Sequence, residues 1–150
     1  MTPEHVALWA MVGTAVAALG SVATAAIALF AAFTWKLGLK AQRTDDCVAA
    51  FHDCAAAIGR SISRRATTEH PNWGDVSDAW HAWSRARTAY AVVSTRYFPS
   101  ADKGLIERGV GIMKRLNDFA GQPQRPTEQA GKPINSDFGQ LIAEMEKALR

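Results

Sequence analysis

The stretch Val6–Trp35, VALWAMVGTAVAALGSVATAAIALFAAFTW, contains thirty consecutive residues without a charged side chain. About 20 apolar residues are enough for a helix to cross a bilayer. A soluble helix of this length would need a larger core than the remaining chain can form. A cleaved signal peptide is disfavoured because the preceding segment, MTPEH, is acidic and the apolar run exceeds a signal core. The stretch therefore predicts a transmembrane helix over residues 6–35.

The charges around this helix predict its orientation. All 17 Lys and Arg residues follow the apolar stretch, and the nearest ones lie in a basic juxtamembrane collar over residues 36–43. The positive-inside rule then places residues 1–5 outside and the rest of the chain in the cytoplasm. We expect a bacterial inner membrane, from the Ala/Arg-rich composition. The collar cations are Lys36, Lys40 and Arg43.

Two tryptophans are suited to anchor the span at the membrane interfaces. Trp9 and Trp35 are separated by about 39 Å in a continuous helix, and amphipathic indole rings are enriched at the headgroup level on both sides of a bilayer. Together with the collar cations they predict that the lipid bilayer is the first partner of this chain.

The chain after the collar carries helical patterns separated by helix-breaking segments. Pro71 and Pro99 each interrupt a pattern, because proline lacks an amide hydrogen and its ring disrupts a helix interior. Suitable caps flank these breaks: Asn72 or Asp75, then Ser100, and Gly121 at the end of the third helix. We predict helices over 44–67, 75–98 and 101–120.

The segment 121–136, GQPQRPTEQAGKPINS, contains three prolines and two glycines, which predicts a polar linker. A C-terminal amphipathic helix then follows over 137–150. Its apolar residues share one helical face: Phe138, Leu141, Ile142, Met145 and Leu149. The predicted fold is all-α, with one N-terminal transmembrane helix followed by a cytoplasmic antiparallel bundle of three to four helices, mainly over 44–120.

The segment DDCVAAFHDCAAA, residues 45–57, collects two cysteines, a histidine and three aspartates. On a helix Cys47 and Cys54 lie about 10.5 Å apart along the axis, too far for a disulfide within the chain. His52 points away from both, and the spacing matches no zinc motif. Both cysteines instead continue an apolar stripe with Phe51, Ile58 and Ile62. We predict a core helix and no metal site, with a disulfide between two copies left open.

An aromatic stripe marks the second predicted helix. Its members recur at helical spacing with an arginine between them, and they are the residue types that dominate interface hot spots. The stripe is either a packing face of the bundle or a surface for a partner or ligand. Base stacking is disfavoured because Asp75 and Asp78 share the helix and the net charge after the span is only +4, from 17 basic and 13 acidic residues. The candidate surface comprises Trp80, Trp83, Arg87, Tyr90 and Tyr97.

Small residues line one side of the predicted transmembrane helix. Such faces let two helices approach closely, although the eleven alanines in the stretch also produce small patches by composition alone. The candidate self-association face comprises Gly13, Ala17, Gly20, Thr24 and Ala28.

No P-loop, GxGxxG, GxSxG or HExxH pattern occurs in the sequence, and we expect neither enzyme activity nor a cofactor. The preferred hypothesis is a single-pass membrane protein whose helical domain binds a protein partner or itself. One alternative is a membrane-perturbing oligomeric effector, holin-like or defence-associated. Another is a sensor that binds a small apolar ligand among Trp80, Trp83 and Tyr90.

Overall fold

The computed structural model describes residues 3–150, except the side chain of Val6. Within this range the chain is all-α, as predicted, and has no strand. The elements are α1 (Pro3–Thr67), α2 (Trp73–Tyr97), α3 (Gly104–Ala120) and α4 (Glu128–Ala148).

The chain divides into two compact units, Met1–Ala41 and Gln42–Arg150, and the boundary falls within α1. In the first unit every described side chain up to residue 38 is exposed. An 18-residue window of α1 has a mean hydropathy of 2.1 and is 0% buried. By length and composition, α1 is therefore able to cross a membrane, and its apolar part has no protein core around it.

The second unit, hereafter the bundle, consists of the C-terminal part of α1 together with α2, α3 and α4. In the contacts between α1 and α2, a later residue of α1 meets an earlier residue of α2. Arg64 pairs with Asp75, whereas Phe51 lies against Tyr90. Helices α1 and α2 are therefore antiparallel, as predicted. Helices α3 and α4 are antiparallel as well, since Arg108 pairs with Glu144 and Arg115 with Asp137. The α1 stripe Cys47, Phe51, Cys54, Ile58 and Ile62 is buried throughout, which confirms the prediction of a core helix.

The helix ends agree with the sequence at α2 and depart from it at α3. Asn72 is the N-cap of α2, and its side chain accepts a hydrogen bond from the Gly74 amide at 3.2 Å. The predicted cap Ser100 is wrong, because α3 begins only at Gly104. The side chain of Asp102 accepts the Gly104 amide hydrogen instead, at 2.8 Å. Gly121 ends α3 as predicted.

Helix α4 begins at Glu128, nine residues before the predicted start at 137, so the predicted linker 121–136 is partly helical. Gly131 lies so close to α1 that a Cβ atom there would come within 2.2 Å of Ile62 Cγ2. Ile134, one turn before Phe138, is buried on the same stripe. Burial of that turn offsets the unfavourable helix propensity of glycine and of Pro133, which lies inside the helix.

A buried arginine joins three segments at the end of the bundle where α1 and α3 terminate. Arg65 is 2% exposed, and its guanidinium donates to the carbonyls of Ala120 (2.9 Å), Thr68 (3.0 Å), Gln122 (2.6 Å) and Gln124 (3.3 Å). Ala120 is the last residue of α3, where the helix dipole favours a cation. Arg65 thus satisfies backbone acceptors that would otherwise be left without partners.

Ion pairs join α3 to α4 on the bundle surface. Arg108 forms a bidentate pair with Glu144, and Arg115 contacts Asp137 at 2.7 Å. The hydrogen bond from Arg108 lowers the pKa of the Glu144 carboxyl below its usual value. The charges of Arg108 and Arg115 are therefore neutralised within the chain.

Candidate functional site

The predicted aromatic surface on α2 does not exist as one surface, because two of its members lie in the core. Trp83 and Tyr90 are 1% and 0% exposed. The Trp83 ring packs between Phe51 and Phe138, with centroid distances of 6.1 and 6.0 Å. The Tyr90 hydroxyl donates to the Asp102 carbonyl at 3.1 Å. These rings hold the bundle together and present nothing to a partner.

Trp83 lies directly against the backbone of α3. A Cβ atom at Gly109 would come within 1.9 Å of Trp83 Cη2, so only glycine leaves room for the indole. The indole Nε1 is buried without a hydrogen-bond partner in the described part of the chain. The space around Trp83 is filled by protein, and the hypothesis of an apolar ligand among Trp80, Trp83 and Tyr90 therefore loses its support.

The other members of the predicted surface separate into two environments. Trp80 and Tyr97 are half-buried and pack against the core. Arg87 is exposed, since its long side chain extends from the edge of the aromatic stripe into solvent. Arg87 consequently belongs to a different surface from the rings that flank it in sequence.

That surface is the solvent side of α2, which carries two shallow grooves with Thr88 and Val92 between them. The first groove, of about 570 Å³, lies towards α3, and the second, of about 480 Å³, lies towards α1. The first is lined by Arg87, Thr88, Ala91, Val92, Thr95, Arg96 and Ile106. The second is lined by Arg43, Asp46, Ser84, Arg85, Thr88, Ala89, Val92 and Val93. We call these residues together the α2 outer face.

The cysteines are core residues. Cys47 and Cys54 are both 0% exposed, and desolvation by burial raises the pKa of Cys47 to about 11 and that of Cys54 to about 12. The Cys54 thiol donates to the Ala79 carbonyl with a sulfur–oxygen distance of 3.9 Å. The open possibility of a disulfide between two copies is contradicted, because neither sulfur reaches the surface of the folded bundle.

No group of three or more His, Cys, Asp and Glu side chains in the described part of the chain is arranged to hold a metal ion. His52 instead lies 3.2 Å from the Glu146 carboxylate on the bundle surface. A charged cleft of about 540 Å³ lies between α1 and α2. It mixes acidic and basic groups: Asp53, Arg60, Asp78, His81 and Arg85.

The apolar part of α1 presents the predicted small-residue face without any protein neighbour. A Cβ atom at Gly13 or Gly20 would meet nothing within 4 Å. The Thr24 hydroxyl donates to the Gly20 carbonyl at 2.9 Å, so its polarity is satisfied within the helix. Ala17 and Ala28 are likewise exposed.

The predicted membrane anchors lie in different surroundings. Trp9 and Trp35 are exposed on the apolar part of α1, and Lys36 is also exposed. Lys40 is half-buried. Arg43 lines the second groove of the α2 outer face, so one collar cation also contributes to the surface of the bundle.

The α1 core stripe was predicted correctly from the sequence, but the outward-facing residues of α2 were not identified. Thr88 and Val92 lie four residues apart on the side opposite the core, a spacing that could have indicated the surface. Arg65, Gly109 and Gly131 were missed because their roles depend on partners remote in sequence. Comparison with known proteins found no matching family model, no matching curated protein and no matching solved structure.

Proposed function

We propose that this chain is a non-enzymatic single-pass membrane protein whose helical bundle is a protein-interaction or self-assembly module at the membrane. The observation that carries the proposal is the contrast within α1. Its N-terminal part is apolar and 0% buried over an 18-residue window, whereas its C-terminal part is built into a closed core. An exposed apolar surface of this size requires a cover, and lipid supplies one.

The proposed location is the inner membrane of a bacterium, with the N-terminus outside and the bundle in the cytoplasm. The support is the distribution of positive charge, since Lys36, Lys40 and Arg43 follow the span and no Lys or Arg precedes it. The reducing conditions of the cytoplasm also suit two buried free thiols.

A binding role is favoured over catalysis by where the perturbed titratable groups lie. The two thiols are protonated and enclosed in the core. The pKa of Tyr90 is also raised, first by burial and then by Asp102. Each of these groups performs a packing role, whereas the α2 outer face offers apolar side chains and cations to an external partner.

The location is tested with the full-length chain in cell membranes. We expect the protein to stay in the membrane pellet after alkaline carbonate extraction. An Arg150→Cys variant should react with a membrane-impermeant maleimide only after lysis, while Glu4→Cys should react in intact cells. The native thiols are buried and give little background. Release by carbonate would refute membrane insertion, and labelling of Arg150→Cys in intact cells would reverse the orientation.

The oligomeric effector is the second candidate, and the open backbone at Gly13 and Gly20 favours it. A second copy could approach closely along that face. Under this alternative, induced expression dissipates the membrane potential, and Gly20→Leu suppresses the effect by blocking close approach. Intact membranes at high expression would leave the interaction module as the better account.

A further inference from the structure

The α2 outer face combines an apolar floor with an elongated shape. Val92 is 54% exposed, and the only other exposed large hydrophobic side chain in residues 42–150 is Trp73, at 52%. The floor continues into both grooves through Ala89, Ala91 and Ile106. The lining runs along α2 from Ser84 to Arg96, which is about 18 Å of helix. A helix of about 12 residues would match this length, with its side chains on both sides of Val92.

The charge of this face is unbalanced. Arg87 and Arg96 line the first groove, Arg43 and Arg85 line the second, and Asp46 is the one acidic lining residue. Four positive charges less one negative charge leave a net charge of +3. Within residues 3–150, no carboxylate lies within ion-pair distance of these four guanidinium groups.

Two arginines of α3 are ion-paired to α4, whereas the exposed Lys114 and Lys132 on the same helices form no ion pair among the residues that the structure describes. Arg108 and Arg115 are paired with Glu144 and Asp137. The four arginines of the α2 outer face form no such pair within the described range, although the Arg96 guanidinium lies 5.6 Å from the centroid of the Tyr97 ring. Carboxylates of a partner would therefore meet no competing ion pair on this face. Arginine is also one of the residue types enriched in binding hot spots.

We propose that the α2 outer face binds an acidic amphipathic helix of a partner protein. Apolar side chains of that helix straddle Val92, and its carboxylates lie opposite Arg87 and Arg96 on one side and Arg43 and Arg85 on the other. The inference rests on the proposed function, because it names the partner class of the same interaction module.

The same features disfavour other occupants. A second copy of this face would bring four arginines against four, and like charges across an interface are repulsive. Anionic lipid headgroups would satisfy the guanidinium groups but would not fill an apolar-floored groove along the side of one helix. Complementary charge on a helical partner satisfies both requirements.

The test uses the full-length chain in its own membranes, with a photoreactive amino acid in place of Val92. The matched position is Ala143, which is exposed on α4. We expect a protein adduct at position 92 that is absent at position 143. Mass spectrometry should place the crosslink in a helix with apolar residues three or four apart and acidic residues beside them.

Charge reversal then tests the electrostatic part. Arg87→Glu/Arg96→Glu should lower the adduct yield at position 92 at least fivefold. The control Lys114→Glu/Lys132→Glu changes the net charge equally at exposed sites outside the face and should leave the yield unchanged. Arg87→Gln/Arg96→Gln, which should reduce the yield less, guards against misfolding, and circular dichroism checks each variant.

Several results would overturn the inference. These are a crosslink to a second copy of the chain, adducts with lipid alone, equal yields at positions 92 and 143, or insensitivity to Arg87→Glu/Arg96→Glu. Failure of the inference is distinguishable from failure of the proposed function. A protein that resists carbonate extraction but gives no specific adduct at position 92 remains a membrane protein without this partner.

Discussion

The two parts of helix α1 share a secondary structure but differ in what covers them. Up to residue 38 every described side chain is exposed, and from residue 6 to 35 uncharged residues occupy every side of the helix. From Cys47 to Ile62, buried residues recur every three or four positions. A helix packed on one side by protein needs a periodic stripe, whereas a helix surrounded by lipid needs only continuous hydrophobicity. The difference shows that exposed helix surfaces facing water or lipid are distinguished by the sequence pattern of their apolar residues.

The same positive charge, placed on an exposed alanine in each part of α1, should have different effects. Ala18→Arg should impair membrane insertion, because arginine at the centre of a transmembrane helix costs about 2.5–3.5 kcal/mol. Ala49→Arg, on an exposed position of the bundle part, should insert normally. The fraction retained after carbonate extraction measures both. Equal retention would show that the two exposed surfaces meet the same medium.

A second comparison sets two adjacent arginines against each other within the bundle. Arg65→Met removes a buried guanidinium that donates to four carbonyls. Hydrogen bonds from charged groups are strong and buried acceptors are costly to abandon, so we expect a loss of about 3 kcal/mol in the free energy of unfolding. Arg64→Met breaks an exposed pair with Asp75 and should cost at most about 1 kcal/mol.

These two variants are compared by urea unfolding of the full-length chain in detergent, followed by circular dichroism. Similar losses for both would mean that Arg65 is solvated in the native protein. Such a result would show that the hydrogen bonds of Arg65 do not hold α1, α3 and the loop after α3 together.

Alanine substitutions at two glycines of α3 should change the free energy of unfolding by smaller amounts and in opposite directions. Gly109→Ala would force a methyl group into the Trp83 ring, which Phe51 and Phe138 hold in place, and overpacking costs about 1–3 kcal/mol. Gly111→Ala meets open space and should stabilise the helix by about 0.5–1 kcal/mol. Thermal unfolding of both variants measures the difference. Stabilisation by Gly109→Ala would contradict the close contact of Trp83 with α3.

These cases also show how far the sequence determines the fold and the candidate site. Periodicity predicted the buried stripe of α1 and the inward face of α4, because one helix alone carries that signal. It could not reveal Arg65 or Gly109, whose partners lie 55 and 26 residues away in sequence. The early start of α4 was not predicted because Gly131 and Pro133 have poor helix propensity. The packing of Gly131 against Ile62 overrides that propensity.

The α2 outer face was missed for a related reason. The aromatic residues of α2 predicted a binding surface because their types are common at interfaces, but Trp83 and Tyr90 are buried in the core. The sequence does not show that the arginines around Val92 form no ion pair with the described residues, because that depends on how the helices pack. The residue types of α2 indicated that it could bind a partner, but only the packing of the helices showed which side of α2 is exposed.

The smallest expected effect concerns the buried thiols of the α1 stripe. In the unfolded chain a cysteine titrates near pH 8.5, whereas in the bundle burial raises the pKa of Cys47 to about 11 and that of Cys54 to about 12. Below pH 8.5 both states are protonated and the stability is fully present. Between this value and the folded pKa values the unfolded state binds fewer protons, so stability falls as the pH rises.

We therefore expect a loss of about 0.8 kcal/mol for each thiol by pH 9. The measurement compares unfolding of the native chain with that of Cys47→Ala/Cys54→Ala from pH 7 to pH 9. The variant is less stable at pH 7 because it loses core packing, but its deficit should shrink as the pH rises. Cys47 also contributes to the raised pKa of Tyr90, so the scan ends at pH 9, below the ordinary pKa of tyrosine near 10. Parallel curves would mean that the thiols are already solvated in the native state, and α1 would then lack the enclosed stripe that distinguishes its bundle part from its apolar part.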